Sequence, residues 1–330
     1  MKTTLCRIGV TLAIGSGITF AQAPSWSRVI TGLTHPQARF GAAFVYDVSR
    51  DQIAMFGGVT ASPGGPLTLG DTWVSTLRSW TPVKPAASPS ARYGPGAAYD
   101  VLHQQTVLFG GATFINNGVV FSFGDTWTWD GTNWTAKTPV TSPPARYFPS
   151  ISYDASRQQV VLFGGVNSSG YLSDTWIWDG TNWIQKFPAN SPPARSSAPM
   201  AFDALRQVNV IFGGSNPSGA LADTWTWDGN NWTQQFPVNS PAKRYGQGFA
   251  FDGSQGQSVM FAGTNEGGNL ADTWVWDGSN WTQMFPSNSP SMRFYTMTAF
   301  NSHYGKVVLF GGGQGTQFGD IFLFDVWTWD

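Results

Sequence analysis

Residues 146–187 read RYFPSISYDASRQQVVLFGGVNSSGYLSDTWIWDGTNWIQKF, and this stretch decides the fold. Arg146 opens a segment that closes on Asp154. The apolar run Val160-Val161-Leu162-Phe163 follows and stops at Gly164-Gly165. Next comes Asp174-Thr175-Trp176-Ile177-Trp178-Asp179, then a Gly-containing turn, then Trp183. Short β-branched and aromatic runs bounded by Gly, Asn, Asp and Pro read as strands joined by tight turns. One such stretch therefore predicts four consecutive antiparallel strands, here named a to d.

The same four signals recur in the same order along the chain. The arginine-opened segments are Arg39 to Asp47, Arg92 to Asp100, Arg146 to Asp154, Arg195 to Asp203, Arg244 to Asp252 and Arg293 to Asn301. A glycine pair follows Phe56, Phe109, Phe163, Phe212 and Phe310, and one copy is altered to Phe261-Ala262-Gly263. The arginines stand 53, 54, 49, 49 and 49 residues apart. A four-strand unit of about 50 residues is the period of a propeller blade. Strand a is small and apolar, as in Gly94 to Tyr99, which suits the crowded inner edge of a ring. Strand b is an uninterrupted apolar run, expected to be buried on both faces. The two strand-c tryptophans lie two apart and share a face, so they can pack on the neighbouring blade.

A glycine pair after a hydrophobic strand, followed by spaced aromatics, resembles the kelch repeat. The resemblance covers residues 26–330 and implies an all-β, six-bladed kelch-type β-propeller, galactose-oxidase-like in fold. The blades are expected at 39–84, 92–138, 146–187, 195–236, 244–285 and 293–330. The last ends at Trp329-Asp330 without a strand d, whereas Trp26-Ser27-Arg28-Val29-Ile30 aligns with the strand-d segment Trp232 to Phe236. The N-terminal strand is therefore expected to complete blade 6, which removes an open sheet edge. Residues 24–330 are then one domain. Kelch propellers serve as enzymes, scaffolds and ligand binders, so the fold does not fix the function.

The N-terminus reads as an export signal. Lys2 and Arg7 precede a short apolar stretch, Ile8 to Phe20, and Ala21-Gln22-Ala23 supplies small residues at cleavage spacing. Cleavage is expected after Ala21 or Ala23. The apolar stretch is short and glycine-rich against the roughly 20 apolar residues a bilayer span needs. The only cysteine, Cys6, precedes it, so a secreted mature chain would be held without disulfides.

The composition narrows the partners. With 11% charged residues and a net charge of −1, the chain lacks the basic face that phosphate neutralisation requires, so nucleic acid is not an expected partner. All 17 tryptophans fall at repeat positions, and none marks a sugar platform by itself. Of 18 aspartates only Asp51 and Asp320 lie outside the repeat, and Glu266 is the sole glutamate. Glu266 and Asp320 fall between strands b and c of blades 5 and 6, where a carboxylate pair could form. His35, His103 and His303 show no metal-ligand spacing, so neither a metal nor a cofactor is expected. The resemblance would imply a copper site of two histidines, two tyrosines and a tyrosine-linked cysteine. A chain whose cysteine leaves with the signal cannot build it.

Two features remain as candidate binding elements. The arginines, among them Arg39, Arg92 and Arg293, lie on the same face as the strand-c aspartates. They either pair with those aspartates or ring the channel mouth to bind an anion. The b–c links are longer in blades 1, 2 and 6 (59–70, 112–124 and 313–324) than in blades 3, 4 and 5. Blades 6, 1 and 2 are consecutive, so the long links are expected to form one raised arc. It carries Leu67, Leu69, Phe114, Ile115, Phe121, Phe123, Phe318, Phe322 and Phe324. Apolar loop residues on a rigid scaffold suit binding, though they can equally pack on one another to order the loops. The expected function is a secreted, non-enzymatic scaffold that binds a protein or glycan. An extracellular carbohydrate-active enzyme and a structural envelope module are the alternatives.

Overall fold

The computed structural model describes residues 24–115, 119–315 and 321–330. The expected export signal at 1–23 with Cys6, and the candidate residues Phe318 and Asp320, lie outside the described residues. All regular structure among the described residues is β. Six antiparallel sheets of four strands form a six-bladed propeller. Blade 3 is representative, with strands Ser150–Asp154, Gln159–Phe163, Thr175–Trp178 and Trp183–Lys186 paired in that order. Each strand a touches the strands a of the two flanking blades, which sets the ring order and places strand a at the channel.

Ring closure follows the sequence expectation. Trp26–Val29 pairs antiparallel with Ile321–Trp329, in the register Trp26↔Trp329 to Val29↔Val326, and becomes strand d of blade 6. A second closure was not legible. The residues two places after each arginine (Gly41, Gly94, Phe148, Ser197, Gly246 and Tyr295) all adopt left-handed φ between 48° and 64°. Each donates its amide to the carbonyl of its counterpart in the preceding blade, at 2.6–3.3 Å, and Gly41 donates to Tyr295. Six backbone hydrogen bonds thus form a closed collar around the channel.

The core lies between blades. Val160, Val161, Leu162 and Phe163 of strand b are fully buried, as an apolar run between two packed neighbours requires. Trp176, Trp178 and Trp183 of blade 3 share one cluster with Ala98, Val107 and Phe109 of blade 2. The strand-d indole also carries a bond across five of the six seams. Trp134, Trp183, Trp232, Trp281 and Trp26 donate Nε1–H to Thr72, Thr126, Thr175, Thr224 and Thr273 of the preceding blade at 2.9–3.0 Å. The first residue of the glycine pair is left-handed in every blade and is closely approached by the next blade's backbone; blade 5 alone places a Cβ there, at Ala262 with φ 65°. At Gly164, φ is +62° and an added Cβ would stand 2.6 Å from the carbonyl oxygen of Arg195.

The b–c links are more ordered than the sequence indicates. Those of blades 1 to 5 form small hairpins, such as Ala112–Ile115 with Val119–Ser122. In blade 6 the strands themselves lengthen, to Lys306–Gln314 and Ile321–Trp329, with an irregularity between Phe310 and Gly312.

Candidate functional site

The b–c face is organised by six identical clamps. Arg146 donates Nη1 and Nη2 to the two oxygens of Asp174 at 2.6 and 2.7 Å, Nη1 to the carbonyl of Gly164, and Nε to the carbonyl of Pro144. Asp174 also accepts Nε1–H from Trp176 at 2.7 Å. The same pairing joins Arg39 to Asp71, Arg92 to Asp125, Arg195 to Asp223, Arg244 to Asp272 and Arg293 to Asp325. Burial alone would raise these carboxyls. The bidentate guanidinium and the indole N–H outweigh it and hold all six below the ordinary aspartate range. All six arginines are 0% exposed. Of the two roles open to Arg39, Arg92 and Arg293, the geometry is that of internal pairing, because the guanidinium donors point into the clamp and not into the channel mouth.

What does line the mouth is the residue after the arginine in blades 1 to 5, and Phe294 holds the same phase in blade 6. Phe40, Tyr93, Tyr147, Ser196, Tyr245 and Phe294 each bridge to the residue following the glycine pair of their own blade. Five are aromatic, and blade 4 alone breaks the ring with serine. One level below sits the collar. Blades 3 and 6 face each other across a six-bladed ring, and there Phe148 and Tyr295 stack with centroids 4.4 Å apart and planes 7° from parallel. Phe40 stacks on Tyr295, and Phe322 on Phe40, at 5.6 and 5.4 Å. Left-handed φ in bulky residues is costly and clusters where a structure has a use for it. Here it sets two rings across the channel.

This aromatic partition separates two cavities. The inner one, about 200 Å³, is walled by strand-a residues such as Ala43, Gly96, Met200 and Thr298. The outer one is a bowl of about 400 Å³ open at the b–c face. Its blade 6, 1 and 2 side is aromatic, with Phe40, Tyr93 and Phe114. Its blade 3 to 5 side carries Tyr147, Tyr171, Ser196, Ser215, Asn216, Tyr245 and Asn265. Burial pushes the phenols of Tyr93, Tyr147, Tyr245 and Tyr295 up, so they stay protonated and neutral. Glu266 sits at the rim, half exposed. The amide of Ala220 at 2.8 Å, its own amide and the Lys243 ammonium at 3.0 Å bring its carboxyl down to about 2. That bridge ties the hairpins of blades 4 and 5 together.

The predicted arc divides between exposed and packed residues. Leu67, Ile115, Phe121 and Phe324 are exposed on the raised hairpins of blades 1, 2 and 6. Phe114 stacks on Tyr93 at 4.9 Å and also lines the bowl. Phe123 packs edge-on to Phe121 and lies 4.1 Å beneath the Arg92 guanidinium, while Leu69 gives its carbonyl to the Arg92 amide. The sequence reading passed over the residue after each arginine, the collar residues and Tyr171, Ser215 and Asn216. Its available signal was an aromatic at one repeat phase in five blades of six.

The opposite face holds local pairs. His103 Nδ1 stands 2.7 Å from Asp100, and His303 Nδ1 stands 3.2 Å from Asp51 across the seam of blades 6 and 1. Among the described residues no group of three His, Cys, Asp or Glu converges to hold a metal, and no helix is long and apolar enough to cross a membrane.

Collar, clamps and four-stranded sheets together define a six-bladed β-propeller. Comparison of folds gives the structure titled "Structure of YjhT" as similar, with a TM-score of 0.65, covering 89% of this chain and 94% of that one. Sequence identity is 13%, so the likeness is one of fold. No family model matches the chain, and no curated protein matches it by sequence.

Proposed function

We propose that this chain is an exported, non-enzymatic propeller of the kelch type that acts as a binding scaffold, taking a protein or glycan at its b–c face. The observation that carries this reading is the bowl of about 400 Å³ over the aromatic partition, a volume within the range of ordinary ligand sites. It lies on the face where the hairpins rise, and a rigid ring of sheets fixes its walls. The kelch assignment rests on the coincidence of the arginine, glycine-pair and tryptophan signals in six successive copies, one of which carries Ala262 for the first glycine. Export rests on Lys2, Arg7, the apolar stretch and Ala21-Gln22-Ala23. The non-enzymatic reading rests on the chemistry of the bowl. Its one carboxylate among the described residues, Glu266, is ion-paired at the rim, and its phenols are held protonated. Neither acts as a base near neutral pH.

A glycan and peptide array on residues 24–330 tests the reading. Binding should be lost in Tyr245→Ala, on the b–c face, and retained in His103→Ala, on the opposite one. The reverse pattern would put the site on the wrong side of the ring.

A further inference from the structure

Blade 4 departs from its neighbours at two adjacent repeat phases, and both departures introduce hydroxyls. Ser196 replaces the mouth aromatic, and Ser197 replaces the collar glycine or aromatic. The hydroxyls connect. Tyr295 Oη lies 3.1 Å from Ser197 Oγ, Ser196 Oγ lies 3.5 Å from Ser197 Oγ, and Ser215 Oγ lies 3.4 Å from Ser196 Oγ. A chain of four hydroxyls therefore climbs from the partition to the wall of the bowl. Tyr147 and Tyr245, in the blades on either side, flank it.

Resting on the reading of the bowl as a binding site, we propose that its ligand is a neutral saccharide, seated in the gap at Ser196 between Tyr147 and Tyr245. A sugar ring presents apolar C–H faces to aromatic side chains and hydroxyls that both donate and accept at its edge. The site supplies both. Tyrosine rings stand on two sides, and hydroxyls that likewise donate and accept stand between them. The Asn216 side-chain oxygen accepts the Ser218 amide, and its amide nitrogen has no partner among the described residues. An acidic sugar or phosphate ester would need a cation. The six arginines are buried in their clamps, and the rim ammonium of Lys243 is engaged by Glu266. A quaternary ammonium group would suit the aromatic rings but would leave the hydroxyl chain and the Asn216 donor unmatched.

Calorimetric titration of residues 24–330 tests this. The probes are neutral hexose, pentose and N-acetylhexosamine mono- to trisaccharides, with N-acetylneuraminic acid, choline and short peptides as competing classes. At least one neutral saccharide should bind. Ser196→Tyr, which restores the aromatic carried by five blades, should fill the gap and abolish binding with the melting temperature nearly unchanged. Tyr245→Phe should weaken binding about three- to tenfold, the loss of one hydrogen bond. Phe121→Ala, on the raised arc, should leave it unaffected. Binding of an acidic, cationic or peptide probe alone, sensitive to Ser196→Tyr, overturns the saccharide while keeping the site. Saccharide binding insensitive to Ser196→Tyr and Tyr245→Phe overturns the site itself. Folded protein that binds no neutral saccharide in the panel refutes the proposal.

Discussion

The seam between blades 6 and 1 is defective, and the defect can be repaired by one substitution. Five seams carry an indole-to-threonine hydrogen bond from strand d to the strand c of the preceding blade. At the sixth, strand c reads Asp325-Val326-Trp327 where the others read Asp-Thr-Trp. Val326 shares a buried cluster with Trp80 and Phe310, and the Trp80 indole nitrogen is buried without a partner among the described residues. Val326→Thr preserves the side-chain shape and places a hydroxyl oxygen where Thr126 holds one for Trp183, at 2.9 Å. A net hydrogen bond contributes about 1 kcal/mol, and leaving a buried donor unpaired costs about 1–3 kcal/mol. Burying the new hydroxyl offsets part of that gain, so the expected stabilisation is about 1 kcal/mol. Over about 300 folded residues the unfolding entropy near the midpoint is roughly 0.6 kcal/mol/K, which makes this about 1–2 °C.

The converse variant calibrates the argument. Thr126→Val recreates the defect at a sound seam and should cost about 1–3 kcal/mol, or roughly 2–5 °C. Both are measured by calorimetric melting with a reversibility check. If Thr126→Val melts with the wild type and Val326→Thr melts lower, the cross-seam bond contributes nothing, and the seams are held by apolar packing alone.

Three further outcomes follow from the architecture. Deleting residues 24–31 removes the buried Trp26 and uncovers the edge of Ile321–Trp329; it should destabilise by more than about 4 kcal/mol and promote self-association, read by melting and light scattering. Gly164→Ala brings a Cβ toward the Arg195 carbonyl at positive φ, a placement blade 5 accommodates at Ala262, and should cost about 1–2 kcal/mol in denaturant unfolding. The six clamp aspartates have folded pKa values below the ordinary 3.8, so their stabilisation is complete above that pH and is lost as the pH falls through the lowered values; the melting temperature should be flat from pH 5 to 8 and fall steeply below about pH 4, with a shallower fall in Asp174→Asn.

The fold is legible in the sequence because each repeat signal performs a local physical task that tolerates few residues. The arginine needs a carboxylate two strands away, the first glycine of the pair admits the next blade's carbonyl, and the strand-d tryptophan reaches a threonine across the seam. Each signal therefore keeps its phase, and the displaced Trp26 declares the closing strand. The arc of long links was legible as length and apolarity. Its internal packing was not, because whether Phe114 stacks on Tyr93 or faces solvent depends on a neighbour some twenty residues away in the chain.

The bowl escaped for a different reason. Apart from the arginines, residues at repeat phases were read as structural, and function was otherwise sought among those left over: Glu266, Asp320 and the apolar links. In a closed ring, however, one repeat phase is one height around the channel. The phase after each arginine is the mouth, and the next is the collar. A substitution within a phase is then a change at one known place on the mouth, as definite as an inserted loop. Phe148 and Tyr295 stand where three blades carry glycine, and they meet because blades 3 and 6 are opposite. Ser196 stands where five blades carry an aromatic, and it leaves the single gap. The regular residues build the ring, and the departures at its innermost phases give the mouth its chemistry.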